Sequence, residues 1–243
     1  MRIIKLNATN STNTYLKQLS GKEVISDYTV VQTQFQTQGR GQMGTKWSAN
    51  SGENLMFSVF KEVSFLKFDQ HFCISMVTAL AIIKTLKSFN VPKLSVKWPN
   101  DILSEDKKIC GVLIENSIKQ NKFKDSIIGV GINVNQTHFE NLPKASSLRI
   151  ITGRTFHFDE LLIRLIEHLK QYFSLLEAQN FEAIKNEYES YLFRKNKPST
   201  FKDKTGNMFS GFIQSVSETG NLQVRLEDAI LKEYDLKEIT LLY

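Results

Sequence analysis

Nine consecutive residues, Gly39-Arg40-Gly41-Gln42-Met43-Gly44-Thr45-Lys46-Trp47, hold the densest chemistry in the chain. Three glycines in six positions do not favour a helix or a strand, because each loses more backbone freedom on folding than another residue would. What they permit is close approach of a ligand to the backbone, with amide groups free to meet an anion or a carbonyl. Arg40 and Lys46 add positive charge, and Trp47 ends the stretch with a flat π-surface. Bare N–H groups, cations and an aromatic plate suit a nucleotide or another flat anionic ligand. Two other readings compete. The spacing fits G-x-G-x-x-G, yet Gly44 is followed by the polar TKWSANSGEN and the strand-like LMFSVF, so no helix opens where a pyrophosphate needs one. The plainer alternative is a mobile surface loop with no ligand.

Three further segments carry reactive side chains. Lys97-Trp98-Pro99-Asn100-Asp101 sets a cation, an aromatic ring, a turn-forming proline, an amide and a carboxylate in a row. Pro99 can end a strand, leaving Asn100 and Asp101 at a junction. In Lys108-Ile109-Cys110-Gly111-Val112-Leu113-Ile114-Glu115 a lysine stands at the mouth of an apolar strand. Gly129-Val130-Gly131-Ile132-Asn133-Val134-Asn135 puts two glycines and an asparagine into a strand that otherwise reads as buried. Each alone has a bland reading as a turn, a strand end or packing space.

The elements that must position these residues follow from periodicity. Strands are expected at 3–6, 28–34, 55–60, 94–97, 109–115 and 124–134, with the second feeding the glycine loop. Asn10 or Ser11 can cap a helix carrying Tyr15, Leu16 and Leu19. Helical spacing runs over 68–89, where Phe72, Met76, Leu80, Ile83 and Leu86 share a side, and again over 158–176 and 181–191. After Lys195-Asn196-Lys197-Pro198 the pattern becomes short strands, with turn signals at 205–207 and 219–221. Strands and helices mix without strict βαβ alternation, which gives an α+β fold with a mixed or antiparallel sheet over 1–196 and a small β-domain over 197–243.

Composition narrows the classes. The chain has 243 residues, 41% hydrophobic and 23% charged, enough for a substantial core. The longest mainly apolar run, 72–83, is too short to span a membrane, and the N-terminus lacks a signal-peptide pattern. Cys73 and Cys110 lie in apolar segments, as expected of reduced thiols in a cytoplasmic protein. The four histidines show no zinc-site spacing. A net charge of +6 invites nucleic acid, but the cations are scattered, and ATP or an acidic protein fits equally well. No G-x-x-x-x-G-K-[ST] sequence is present, so ATP would not sit in a P-loop.

Taken in order, the motifs resemble those of the biotin–protein ligase family. The resemblance runs through Ser11-Thr12-Asn13, the 39–47 loop, KWPND at 97–101, KKICGVLIE at 107–115, GVGINVN at 129–135, Ser147-Leu148 and the C-terminal β-domain. It implies a catalytic domain related to class II aminoacyl-tRNA synthetases and lipoate ligases, with an SH3-like C-terminal domain. It also implies two steps: biotin attacks ATP to give biotinyl-5′-AMP, and a lysine of a biotin carboxyl carrier protein then takes the biotinyl group. By the same resemblance Ser11, Thr12, Asn13, Gln36, Gly39, Arg40, Gly111 and Leu113 would contact biotin, with Val112 and Ile114 adding apolar wall. Gly41, Gly44, Lys46, Trp47, Lys108 and Asn133 would contact the nucleotide, Trp47 by stacking on adenine. Lys108, Arg40, Asn100 and Asp101 would serve catalysis, Asp101 also toward Mg²⁺.

The loop departs from the family's frequent GRGRRGRxW at Gln42, Met43 and Thr45. Gln42 replaces an arginine that helps hold the adenylate, and Lys46 or Arg40 is expected to compensate. A chain starting ten residues before Ser11 has no room for the helix-turn-helix domain of some relatives, so sequence-specific DNA binding is not expected. An edge strand could pair two subunits into a homodimer or dock the carrier. Two rival functions stay in view: a lipoate–protein ligase, and a catalytically silent module binding a ligand or nucleic acid.

Overall fold

A computed structural model describes residues 1–243. Its main layer is a seven-stranded mixed sheet in the order β1-β2-β3-β7-β6-β5-β4. The strands are β1 (Ile3–Thr9), β2 (Val30–Gln36), β3 (Asn54–Glu62), β4 (Leu94–Lys97), β5 (Asp101–Ser104), β6 (Lys107–Lys119) and β7 (Lys122–Asn133). Only β1 and β2 run parallel, joined through helix α1 (Thr12–Lys22); every other neighbour is antiparallel. β3 and β7 are buried along most of their length because both are central strands, and α1 packs across part of both.

One face of the sheet packs on helices. α2 (Phe72–Ser88) has thirteen buried residues spread around its whole circumference. Such a helix must be enclosed, and α2 is, between the sheet, α4 (Phe158–Glu177) and α5 (Phe181–Ser190). The stretch Phe68–Ser88 has the length and composition to cross a membrane, contrary to the shorter run read from sequence; here its apolar side chains supply the core. A fully buried residue such as Leu80 stabilises the fold by roughly 1.5–3 kcal/mol. α4 is plainly amphipathic, with Leu161, Leu165, Leu169 and Phe173 turned inward.

Beyond Pro198 a five-stranded antiparallel sheet, β11-β10-β9-β8-β12, comprises β8 (Pro198–Asp203), β9 (Met208–Val216), β10 (Leu222–Leu226), β11 (Leu231–Tyr234) and β12 (Ile239–Leu242). Its inward residues, Phe201, Ile213, Val216 and Leu222, join the core of the main sheet. The expected turns are present: Asp203 Oδ1 accepts from the backbone of Thr205 and Asn207, and Gly206 and Gly220 take positive φ.

Two elements were not expected from sequence. β5 follows directly on the Trp98-Pro99 turn, and α3 (Leu148–Thr152) is a single short helix capped by Ser147, whose Oγ accepts from Ile150 N. The helix read over 68–89 begins as a 3₁₀ turn, Phe68–Gln70, before α2.

Candidate active site

The face of the sheet opposite α2 opens into a cleft of about 400 Å³. Strand alternation decides its shape. Gly111 lies opposite Gly131, and Leu113 opposite Gly129. These three glycines share the cleft face and let neighbouring side chains lie directly on the sheet. A Cβ on Gly129 would overlap Asn13 Oδ1, and one on Gly131 would stand 2.5 Å from Trp47 Cε2. Gly111 approaches both Trp47 and Lys108. The floor therefore runs from Asn13, under Trp47, to Lys108.

At the Asn13 end the wall is polar. Ser11 is the N-cap residue of α1, yet its hydroxyl caps no backbone N–H, which leaves it free toward the cleft. Thr12 N–H donates to Gln36 Oε1 at 2.8 Å, and Ser58 Oγ lies 2.7 Å from Thr12 Oγ1. Ser11, Thr12, Asn13 and Ser58 are all buried. At the other end Lys108 Nζ pairs with Asp101 Oδ1 at 2.6 Å, and Lys97 Nζ stands 4.0 Å from Asp101 Oδ2. Burial pushes the Lys97 amine below its ordinary range, with Lys108 and Lys144 opposing its charge and Asp101 partly restoring it. Asn100 is locked against β6: its Nδ2 donates to Val112 O, and its own carbonyl accepts from Val112 N. It positions the turn.

The 39–47 loop folds back as a narrow hairpin. Gly41 N–H donates to Thr45 O, Trp47 N–H to Gly39 O, and Arg40 bridges Lys46. A Cβ at Gly39 or Gly41 would strike Trp47 O or Thr45 Oγ1, while Met43 and Gly44 turn the tip at positive φ. Lys237, from the turn between β11 and β12, donates to Met43 O at 3.1 Å. The Trp47 indole lies over the floor, its Nε1 buried and unpartnered, with Lys108 Nζ 5.7 Å from the ring centre.

The structure thus brings together Ser11, Thr12, Asn13, Gln36, Arg40, Gly41, Lys46, Trp47, Asn100, Asp101, Lys108, Gly111 and Leu113 around the cleft. Gly39 and Gly44 line the adjoining outer face of the hairpin. Asn133 sits elsewhere: it is buried at the end of β7 and donates to Ser146 O at 3.0 Å, outside the cleft lining. Val112 lines the cleft and Ile114 does not. Sequence reading assigned no role to Ser58 or Glu115. A lone serine inside the apolar run LMFSVF was the available signal for the first.

A cleft that reads a polar head group at one end and gathers amines around a carboxylate at the other suits joining a small acid to a nucleotide. The Biotin/lipoate A/B protein ligase family matches residues 6–133, more than half of the chain, and the chain belongs to that family. Among curated relatives, the bifunctional ligase/repressor BirA of Escherichia coli is 26% identical over 96% of this chain and 71% of its own length. The biotin–[acetyl-CoA-carboxylase] ligase of Paracoccus denitrificans is 26% identical over 90% and 92%. The biotin protein ligase of Aquifex aeolicus, solved with biotin and ATP, superposes with a TM-score of 0.81 at 26% identity, covering 99% of this chain and 98% of that one.

Proposed function

We propose that this protein is an ATP-dependent ligase that activates biotin as biotinyl-5′-AMP and transfers it to a lysine of a biotin carboxyl carrier domain. The observation that carries this is the glycine floor linking a hydrogen-bonding wall to the Lys108–Asp101 pair. Biotin has a neutral ureido head needing donors and acceptors, a slim apolar chain and a terminal carboxylate, in that order. Ser11, Thr12, Asn13 and Gln36 would take the head. Gly111, Val112 and Leu113 would take the ring and chain, and Arg40 and Lys108 the carboxylate. Gly39, Gly41, Gly44 and Lys46 would hold the nucleotide through the hairpin, with Trp47 stacking on its base.

In the first step the biotin carboxylate oxygen attacks the α-phosphorus, and the bond to pyrophosphate breaks. Lys108 would neutralise charge that grows on the phosphoryl oxygens. In the second step a carrier lysine amine attacks the acyl carbon, and AMP leaves. Asp101 is the single carboxylate lining the cleft, and no cluster of three metal-binding side chains exists. That donor set fits Mg²⁺ arriving on the triphosphate, with Asp101 as its one protein carboxylate. Asn133 gives one amide proton to Ser146 O, and its second N–H and its Oδ1 would read the adenine edge. We place the domain division between residues 196 and 197, just ahead of β8, and take the outer edge of β1 as the surface open to a carrier or a second copy.

The test is exchange of labelled pyrophosphate into ATP. Exchange with biotin and none with lipoate is expected. Exchange with lipoate alone would make the protein a lipoate ligase. Exchange with neither acid, in a protein whose melting temperature rises with biotin, would leave a silent binding module.

A further inference from the structure

The hydrogen bonds of the polar wall do not stop at the residues assigned to the biotin head. Asn13 Nδ2 donates to Glu115 Oε2 at 2.7 Å and to Leu113 O at 3.2 Å, so Oδ1 is the accepting end of that amide. Ser58 Oγ lies 2.5 Å from Asn13 Oδ1 and 2.7 Å from Thr12 Oγ1. A hydroxyl has one proton, so Ser58 donates to Asn13 and accepts from Thr12. Beyond Asn13, Glu115 receives Arg40 in a two-pronged pairing, Nη1 to Oε1 at 3.1 Å and Nη2 to Oε2 at 2.9 Å. Gln36, Thr12, Ser58, Asn13, Glu115 and Arg40 therefore form one unbroken chain drawn from α1, β2, β3, β6 and the hairpin.

Glu115 is the joint of that chain. Alternation along β6 puts it on the cleft face, two residues beyond Leu113 and four beyond Gly111. Its carboxylate is the only one paired with Arg40, whose remaining side-chain partner is Thr14 Oγ1 at 3.2 Å. The Glu115 side chain is 26% exposed, so the pair is partly shielded from water. Charge-assisted, bidentate contacts of this kind fix direction as well as distance.

We propose that Glu115 is a positioning residue for the ligase reaction: it holds Arg40, and with it the 39–47 hairpin, at the mouth of the cleft while fixing the Asn13 amide. The ligand's identity rests on the function proposed above; the hold on the hairpin does not. A carboxylate acting only as a charged rim would instead repel the incoming acid, and removing its charge would then tighten binding.

Glu115→Gln keeps the size and removes the charge. Without ligand, trypsin cleavage after Arg40 and Lys46 is expected to accelerate about tenfold, as loss of one charge-assisted hydrogen bond allows. With ligand, the KM for biotin should rise about tenfold while kcat at saturation changes less than about threefold. In an Arg40→Ala background the same substitution should add no further acceleration at Lys46. Unchanged cleavage in a variant with a native melting temperature overturns the proposal, as does a lowered biotin KM or a full additional effect in the Arg40→Ala background. If the Gln variant does not fold, Glu115→Asp takes its place, with a smaller acceleration expected and the same overturning results. A wild type without biotin-dependent exchange, beside a variant that is cleaved faster, would refute the ligase reading and leave the hold by Glu115 standing.

Discussion

Lys108 meets Asp101 at 2.6 Å, faces the Trp47 ring and borders Gly111, and it is closer to the carboxylate than Lys97 at 4.0 Å. Its backbone is secured separately, by Lys144 O and by Ser146 N. Removing the side chain therefore leaves the strand in place. Lys108→Ala is expected to lose roughly a hundredfold or more in adenylation, the scale of a lost oxyanion donor. Its stability should fall by only about 1 kcal/mol, because the ion pair is partly exposed. Pyrophosphate exchange and a urea titration check both halves; exchange within threefold of wild type removes Lys108 from the chemistry. The residues around this lysine were legible in sequence because motifs of unusual composition had gathered them. Ser58 and Glu115 were not, since a serine in a strand and a glutamate at a strand's polar end look ordinary until their partners arrive from distant segments.

At the scale of the element, β7 assigns its two glycines to different neighbours. Gly129 makes room for Asn13, which three hydrogen bonds anchor. Gly131 makes room for Trp47, which rides on a hairpin. Gly129→Ala should therefore raise the KM for biotin, and Gly131→Ala the KM for ATP. Each change should reach roughly tenfold, matching about 1–3 kcal/mol of overpacking. Equal effects of both substitutions on both substrates would show that the floor is not divided in this way. Long elements such as α2 and α4 could be read from periodicity, since many turns repeat one pattern. β5 with four residues and α3 with five offer too few positions for a period to emerge. The pair Ser147-Leu148 had been noticed only as a motif; its serine caps α3.

The whole molecule is held together across its two sheets. Glu189 accepts from Val216 N and pairs with Lys195, Trp98 Nε1 donates to Gly220 O, and the Phe72 ring meets both Tyr188 and the Gly220 turn. This junction carries the buried phenol of Tyr188, and α4 with its neighbours carries the buried Tyr172 and the half-buried Tyr28. Burial raises the Tyr188, Tyr172 and Tyr28 hydroxyls above their usual range, and nearby Glu189, Glu187 and Glu177 add to the effect in turn. The unfolded chain gives up these protons near pH 10, whereas the folded chain keeps them. Above about pH 10 the native state binds more protons than the unfolded one, so stability falls as pH rises. Lys97, with a lowered amine, acts in the opposite sense but is a single group. Burial also raises the Cys73 thiol, to about 11, and the Cys110 thiol, whereas unfolded thiols ionise at about pH 8.5. Urea midpoints should therefore begin to fall from about pH 8.5 and drop further by about pH 11; a flat profile would mean that these groups ionise freely in the fold.

The chain has two tryptophans, and the fold has set them to different tasks. Trp47 lies on the cleft floor with an unsatisfied indole N–H; Trp98 borders the same cleft, but its indole N–H is fastened to Gly220 O in the β9–β10 turn, across the junction of the two sheets. In the ligand-free protein, Trp98 emission reports the sheet junction, while Trp47 emission reports arrival at the cleft floor. With Trp98 replaced by phenylalanine, the remaining fluorophore becomes a gauge of cleft occupancy. With Trp47 replaced, the other becomes a gauge of whether the sheets stay docked. The protein is its own optical instrument, and needs no attached dye to time either event.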